Sequence, residues 1–565
     1  MLSPLAIYVI PRTGIDMLKS VKVNFSETGA LDLDAKGITI FVGPNNSGKS
    51  LLLREVESLF IHYPTSTELK IVKDFEIHWP SPHQIEETVN QAHKSKARSE
   101  FDHIILTRIN INSGREDVQL HIPTLKSVAN EKSNKNWLLS MYYRSGVIRL
   151  DGRSRFNLTN DQTCGDLDLP PQNILSHIFR EDSIRSEIRS TIKDAINTNF
   201  YIDPTNLGSL RIKISDNIIN TDEQSINKEA RQFYKSATYI KDSSDGVQAY
   251  VGIITAVLSG EYHTILIDEP EAFLHPPLAR KLGKNLASLA EKRNGTLMAS
   301  THSSDFLIGC MQGSATVKVV RLEYNGGKSR AKSIDQNSLE KLLKNPLMRS
   351  ANVISGLFYD GVVVLESDND RAFYNEIYYR LSDGKPEYPS ILFVNAQNKQ
   401  TIREIIEPLR EFGVPAAAIP DIDIIKDGGK VWTDWLKASK IPTALHVGLG
   451  QQRSAIDSML KATGKDMKTE GGFDLLDGKD REAADFFFDT LERYGVFPVR
   501  RGELENWLPD LGVPGKKTNW AVAMLERLGS DINDLDYVKP AEDDVWEFLD
   551  KVVAWIKDPS RAGTV

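Results

Sequence analysis

The sequence predicts an α/β chain built of two parallel-sheet domains, and three observations carry that expectation. A buried apolar run, Ile38-Thr39-Ile40-Phe41-Val42, feeds a glycine-rich loop and then a helix-patterned stretch from Ser50. A five-residue strand, His263–Ile267, runs into the adjacent carboxylates Asp268 and Glu269. Beyond residue 350 a second series of β–α units begins, and its strands also end in acids. Strands that alternate with helices in this way build parallel sheets.

With 565 residues the chain exceeds one hydrophobic core, which stops growing near about 250–300 residues. The boundaries expected are 1–350 and 351–565, with residues 63–236 read as inserted or irregular segments of the first domain. No apolar run nears the roughly 20 residues that span a bilayer, so a membrane protein is excluded. Met1–Arg12 has no basic flank and no cleavage site, and reads as a first strand rather than a secretory signal. Cys164 and Cys310 lie far apart without CxxC spacing, which fits a reducing compartment, and the cytoplasm is the expected location. A net charge of −8 argues against coating nucleic acid through the overall field but leaves room for a local groove. Cationic clusters stand at Lys94/Lys96/Arg98, Arg149/Arg153/Arg155, Arg500/Arg501 and Lys516/Lys517, each read first as a solvated face.

The loop Gly43-Pro44-Asn45-Asn46-Ser47-Gly48-Lys49-Ser50 has the G-x4-G-K-S spacing in the strand-to-helix setting that phosphate binding needs. Its backbone N–H groups can surround the β-phosphate of ATP, Lys49 reaches the β/γ oxygens, and the Ser50 hydroxyl suits Mg²⁺. At the end of the buried strand Asp268 is expected to hold the Mg²⁺ shell and Glu269 to polarise the attacking water. The string Asp268-Glu269-Pro270-Glu271-Ala272-Phe273-Leu274-His275-Pro276 is similar to that of ABC-type ATPases. Ser243-Ser244-Asp245-Gly246-Val247-Gln248 stands in the place of their signature, and His302 in the place of their switch histidine. The resemblance implies an ABC-type P-loop ATPase domain whose two copies face head to tail, Ser244 and Gly246 of one addressing the γ-phosphate on Lys49 of the other. At least a homodimer follows. The glutamine of the Q-loop has two candidates, Gln84 and Gln91. The sequence shows no sustained heptads, so long coiled coils are not expected.

In the second block Glu366 ends the strand Gly361–Leu365 and Asp370 follows four residues on. Asp421 and Asp423 end another buried strand, with side-chain alternation expected to point both the same way. Four acids can then meet at the C-terminal edge of one parallel sheet, where hard divalent cations such as Mg²⁺ or Mn²⁺ would neutralise them. Strand-Glu-x3-Asp plus strand-Asp-x-Asp resembles the TOPRIM (Rossmann-like) domain. Its place behind an ABC-type head resembles the OLD (overcoming lysogenization defect) family of ATP-dependent endonucleases. That resemblance implies a late Gly-x-x-Glu element, fitted here by Gly502-Glu503-Leu504-Glu505 with Glu505 the better match and Glu503 its neighbour. It also implies a catalytic lysine, Lys539 first and Lys516 second. Two departures stand out: Ser367 follows Glu366 where the family has glycine, and the stretch from Asp423 to Gly502 is long, suggesting an insertion whose Trp432 and Trp435 read first as core aromatics and second as a partner surface.

The function implied is an ATP-gated, metal-dependent DNA endonuclease. The family suggests defence against phage, sometimes with a partner such as a retron reverse transcriptase and its DNA. Two rival readings are a TOPRIM RNase that cuts tRNA, and a RecF-like ATP-dependent DNA clamp whose acids are only structural.

Overall fold

The computed structural model describes residues 17–61, 69–94, 102–110, 114–152, 155–169, 171–260, 262–334, 336–344 and 352–564. The strand expected over Met1–Arg12, the cations Lys96, Arg98 and Arg153, and the side chains of Gln91 and Lys94 lie outside them. The chain divides after Ala331 into two compact units.

The first unit is built on a six-stranded sheet with the spatial order 328–334, 317–325, 37–42, 296–300, 264–268, 147–150. Val317–Asn325 and Thr296–Ser300 run parallel to the central 37–42, Thr264–Asp268 runs parallel to Thr296–Ser300, and the edge strand Val147–Leu150 runs parallel to Thr264–Asp268. The register places Phe41 opposite Ser300 and Ser300 opposite Asp268, so the three strand ends that carry chemistry share one edge. Strand propensity and burial agree here: Ile38, Ile40, Phe41, Ile265, Leu266, Ile267, Leu297 and Met298 are buried. The helix Lys49–Ile61 lays Leu52, Leu53, Val56, Leu59 and Phe60 against the core at helical spacing. Beside it, Gly29–Asp34, Leu18–Phe25 and Val72–Ile77 form a three-stranded antiparallel sheet.

The segment 63–236, expected to be irregular, is richly folded. It contains the hairpin His103–Asn110 and Gly114–His121, the strands Asn199–Asp203 and Ser209–Ser215, and the helices Asp182–Ile196 and Lys228–Ser236. The four strands named run to only 8, 8, 5 and 7 residues, too short for a clear period. Its strand Val147–Leu150 also belongs to the main sheet, so the segment is more than an insertion.

The second unit has a parallel sheet of Ile391–Asn395, Gly361–Leu365 and Ala416–Ile419, with Gly361–Leu365 central. Parallel bridges from Ala418 to Val496 and from Asp421 to Val499 extend it by one segment. The helix Asp368–Ser382 packs Phe373, Tyr374 and Ile377 into a core shared with Val363, Leu365, Ile419, Trp546 and Val552. Each such fully buried side chain contributes roughly 1.5–3 kcal/mol. Between Asp423 and Gly502 lie the helices Gly429–Ala438, Thr443–Ala462 and Gly478–Arg493. Trp432 and Trp435 are buried there, Trp432 stacking on Phe487 at 5.9 Å, so both are core residues. No helix among the described residues is long and apolar enough to cross a membrane.

Candidate nucleotide and metal sites

The phosphate loop takes the backbone that its residue types allow. Gly43 and Gly48 hold φ of 135° and 95°, and Asn46 the left-handed value of 61°, which asparagine tolerates better than most residues. Asn45 and Asn46 are exposed, whereas Ser47 and Lys49 are buried. The Lys49 ammonium donates to Ser47 Oγ at 3.2 Å. Burial pushes it down to about 8 against the pull of Glu269, Asp268 and Glu271, so it stays mostly charged at neutral pH and a phosphate there would hold its proton more firmly.

Across the sheet edge the Ser50 hydroxyl donates to Asp268 Oδ1 at 2.9 Å, and Ser300 Oγ donates to the same oxygen. This couple fits the Mg²⁺ shell expected of it, a carboxylate and a hydroxyl on one side of the phosphate loop. Glu269 follows with φ of 49° and donates its N–H to Ser300 O at 2.9 Å. Burial and the nearby Lys49 push the His302 imidazole down to about 4, so it is neutral at physiological pH. Ser244 caps the helix Asp245–Ser259 without a side-chain hydrogen bond of its own. A Cβ on Gly246 would stand 2.8 Å from Phe273 O, so only glycine lets this helix start so close to the turn after Glu269. Gln84 is used locally: its side chain accepts from Ser81 N at 2.6 Å while Ser81 Oγ accepts from Gln84 N, a capping box. The sequence alone assigns neither Arg155 nor Glu271 a role at the site: Arg155 reads within a solvated cationic face but is fully buried, and Glu271 reads only as part of the string after Asp268.

The second site lies at the C-terminal edge of the second sheet. Glu366, Asp421 and Asp423 each bring a carboxylate oxygen within 4.8 Å of the others. The expectation that Asp421 and Asp423 sit on a strand needs correction. The strand stops at Ile419 before Pro420, and Asp423 lies in the short helix Ile422–Lys426, so the turn rather than strand alternation gathers the acids. Glu366 Oε1 accepts the Asp421 N–H at 3.0 Å, which ties the two strand ends together. Asp370 is held by Ser367: its Oδ2 accepts from Ser367 N at 2.9 Å while Ser367 Oγ accepts from Asp370 N. The serine that replaces glycine therefore serves as the helix N-cap and removes no acid.

Burial and the neighbouring Asp421 push Glu366 up to about 8 and Asp370 up to about 6. Asp421 is raised as well, burial outweighing its ammonium partner. Carboxylates crowded until they retain protons form a site that a divalent cation would relieve, and all the donors are oxygens, as Mg²⁺ and Mn²⁺ prefer. Glu503 and Glu505 arrive on the turn after Val499. Glu503 Oε2 is 3.8 Å from Lys468 Nζ, and Glu505 Oε1 accepts the Lys517 N–H at 2.6 Å.

Two lysines stand in ion-pair contact with these carboxylates, Lys468 and Lys399, the latter 3.4 Å from Asp423 Oδ1, and neither is the expected Lys539 or Lys516. Lys468 Nζ donates to Asp421 Oδ2 at 2.6 Å and stands 3.8 Å from Asp423 Oδ2. Lys539 is exposed and follows Val538, whose carbonyl accepts from Arg380. Arg380 is ten residues along the helix from Asp370, about 15 Å by helical rise, which leaves Lys539 off the cluster. Lys516 is exposed near Glu503, whose carboxyl is raised by burial and by Glu505, with Lys468 and Lys516 opposing the rise in part. Lys468 escaped detection because it belongs to the segment read as an insertion. The Arg500/Arg501 cluster is not a free basic face either. Arg500 pairs with Asp485, Asp489 and Glu492, and Arg501 with Asp544.

Comparison with known proteins agrees with both halves. Residues 70–307 match the AAA ATPase domain family, and residues 357–423 match the TOPRIM domain of overcoming lysogenization defect protein-like sequences. The OLD nuclease of Thermus scotoductus is 21% identical over 72% of this chain and 82% of its own. The Old nuclease of Escherichia phage P2 is 24% identical over 29% of this chain and 28% of its own. An Smc head bound to the C-winged helix domain of ScpA covers 57% of this chain and 99% of its own at 11% identity, with a TM-score of 0.33. An ATPase domain followed by a TOPRIM domain of the overcoming lysogenization defect type makes this chain an ATPase–TOPRIM protein of the OLD family.

Proposed function

We propose that the chain is an ATP-regulated, divalent-metal-dependent endonuclease that cuts DNA. The observation that carries this is the meeting of Glu366, Asp421 and Asp423 within 4.8 Å beside the Lys468 ammonium. Glu366, Asp421 and Asp423 would hold Mg²⁺ or Mn²⁺, with Asp370, Glu503 and Glu505 at the margin of the same site. A metal held there would supply Lewis acidity to the phosphodiester and make a bound water easier to deprotonate. Lys468 presents positive charge to the phosphodiester oxygens, and the carboxylates take up the proton of the attacking water. The exposed Lys516 and Lys517, on the flank next to Glu503 and Glu505, suit the strand that approaches.

In the first unit Lys49 binds the β/γ oxygens of ATP, Ser50 and Asp268 would hold its Mg²⁺, and Glu269 accepts the proton of the attacking water. Two copies facing head to tail bring Ser244 and Gly246 of one to the γ-phosphate held by the other. A cytoplasmic role in defence against phage, alone or with a retron reverse transcriptase and its DNA, is the setting we infer from the family.

The test is cleavage of supercoiled plasmid and of RNA by the purified full chain, with Mg²⁺, Mn²⁺ or EDTA, across an ATP titration of wild type, Lys49→Ala and Glu269→Gln. DNA nicking that needs the metal is expected, restrained by ATP in wild type, insensitive to ATP in Lys49→Ala and locked in the restrained state in Glu269→Gln. Cleavage of RNA alone would reassign the substrate, and metal-independent cleavage would refute the site.

A further inference from the structure

The turn after Asp268 is held by a side chain that none of the nucleotide motifs contains. Arg155, fully buried, donates to the carbonyls of Asp268 at 2.7 Å and Ala272 at 3.0 Å, and also to the carbonyl of Glu269. A guanidinium presents its N–H donors in a rigid planar fork that spans these three carbonyls from two nitrogens, whereas an ammonium offers its three donors from a single point. Glu269 and Phe273 both adopt left-handed backbone, with φ of 49° and 68°, a conformation that residues with a Cβ keep only when their surroundings impose it. The Arg155 bonds help to impose it on Glu269, together with the bonds from Glu269 N to Ser300 O and from Ala272 N to Glu269 O.

The same segment touches the helix that begins at Ser244. A Cβ on Gly252 of that helix would lie 3.0 Å from Arg155 O, and Phe156 meets Phe273 edge to face at 5.0 Å. Phe273 O in turn lies against Gly246. On the other side of the turn the Glu271 carboxylate accepts from His302 N at 2.7 Å and from Thr301 Oγ1 at 2.8 Å. One connected set of contacts, with Arg155 and Thr301 buried in it, therefore joins the helix that begins at Ser244, the Glu269 turn and the His302 loop.

We infer that Arg155 is a positioning residue for ATP hydrolysis: it fixes the backbone of Glu269 and couples it to the signature helix, while Glu271 fixes His302. The inference rests on the hydrolytic reading of the nucleotide site. Neither side chain is asked to touch ATP. Loss of either should then lower turnover and leave nucleotide affinity alone.

The experiment measures steady-state ATP turnover and fluorescent ATP-analogue affinity of the full chain for wild type, Arg155→Lys, Arg155→Met, Glu271→Gln and Glu269→Gln. For Arg155→Met and Glu271→Gln, kcat should fall about 10–100-fold, as for other groups that orient a site without touching substrate. Their KM and analogue Kd should stay within about threefold of wild type, the pattern of a group whose effect is felt in the transition state. Arg155→Lys should keep part of the rate. Unchanged kcat in both Arg155→Met and Glu271→Gln would overturn the inference, as would a joint loss of kcat, analogue binding and melting temperature, the mark of a merely structural residue. If Arg155→Met does not fold, the isosteric Glu271→Gln decides by the same criteria. A wild type without ATP turnover would overturn the nucleotide reading and this inference with it; wild-type turnover lost in Glu269→Gln but retained in the Arg155 and Glu271 variants would overturn only the inference.

Discussion

Glu366, held up to about 8 by burial and by Asp421, carries a proton at neutral pH in the metal-free protein. A cation that takes its oxygens must displace that proton, so apparent metal affinity should rise with pH. The slope follows from the values: about tenfold per pH unit below 8, equal to about 1.4 kcal/mol per unit, flattening above. Below 6 Asp370 also retains its proton, and the dependence should steepen toward a second proton per ion. Stability moves the opposite way without metal. The folded carboxyl of Glu366 binds its proton more tightly than the unfolded one, so its contribution is full below the usual glutamate value and is lost as pH rises through about 8. Added divalent cation should therefore raise the melting temperature most at alkaline pH. Titration calorimetry with Mg²⁺ and Mn²⁺ from about pH 6 to about pH 8.5, in buffers of different ionisation enthalpy, counts the protons released. Affinity independent of pH, or binding without proton release, would refute the reasoning, and Glu366→Gln should remove the component centred near pH 8 while leaving that of Asp370.

Other perturbations address other parts of the account. Lys468→Met should lower DNA cleavage about 100-fold or more while leaving metal affinity equal or tighter, because a positive charge that aids the transition state repels the cation; the check is a cleavage rate beside a metal titration. Arg410 is fully buried and donates to the carbonyls of Ala416, Ser439, Tyr494, Gly495 and Gly563. Arg410→Met leaves these five acceptors without it and should cost about 5 kcal/mol at about 1 kcal/mol each, read as a lower urea midpoint for the second unit. Reversing Lys516 and Lys517 to Glu should flatten the salt dependence of DNA binding by about 0.7–0.9 for each phosphate no longer neutralised, whereas Arg500→Ala, its guanidinium already enclosed by acids, should not; anisotropy across a salt series distinguishes them.

The sequence made the chemistry at strand ends legible, because a buried strand that stops in carboxylates or in a glycine loop announces itself in a few consecutive residues. The phosphate loop, Asp268, Glu269 and Glu366 are of that kind. Residues that act from a distance in sequence were not legible. Lys468 meets Asp421 from 47 positions away, and Arg155 reaches the carbonyls of Asp268 and Glu269 across more than a hundred residues, joined only by the fold. Asp421 and Asp423 came together for a reason other than strand alternation, since Pro420 ends the strand and a helical turn does the folding. The helices between Asp423 and Gly502 were hidden for a related cause: an apparent insertion offers no motif, although it supplies the lysine and part of the core.

The central claim is that the carboxylate cluster of the second unit, and not the nucleotide site, cuts the phosphodiester. Plasmid cleavage and ATP-analogue binding measured side by side for Glu366→Ala and Asp421→Ala test it most directly. The account predicts that both variants lose cleavage and bind the analogue as the wild type does. Cleavage retained in both would contradict it.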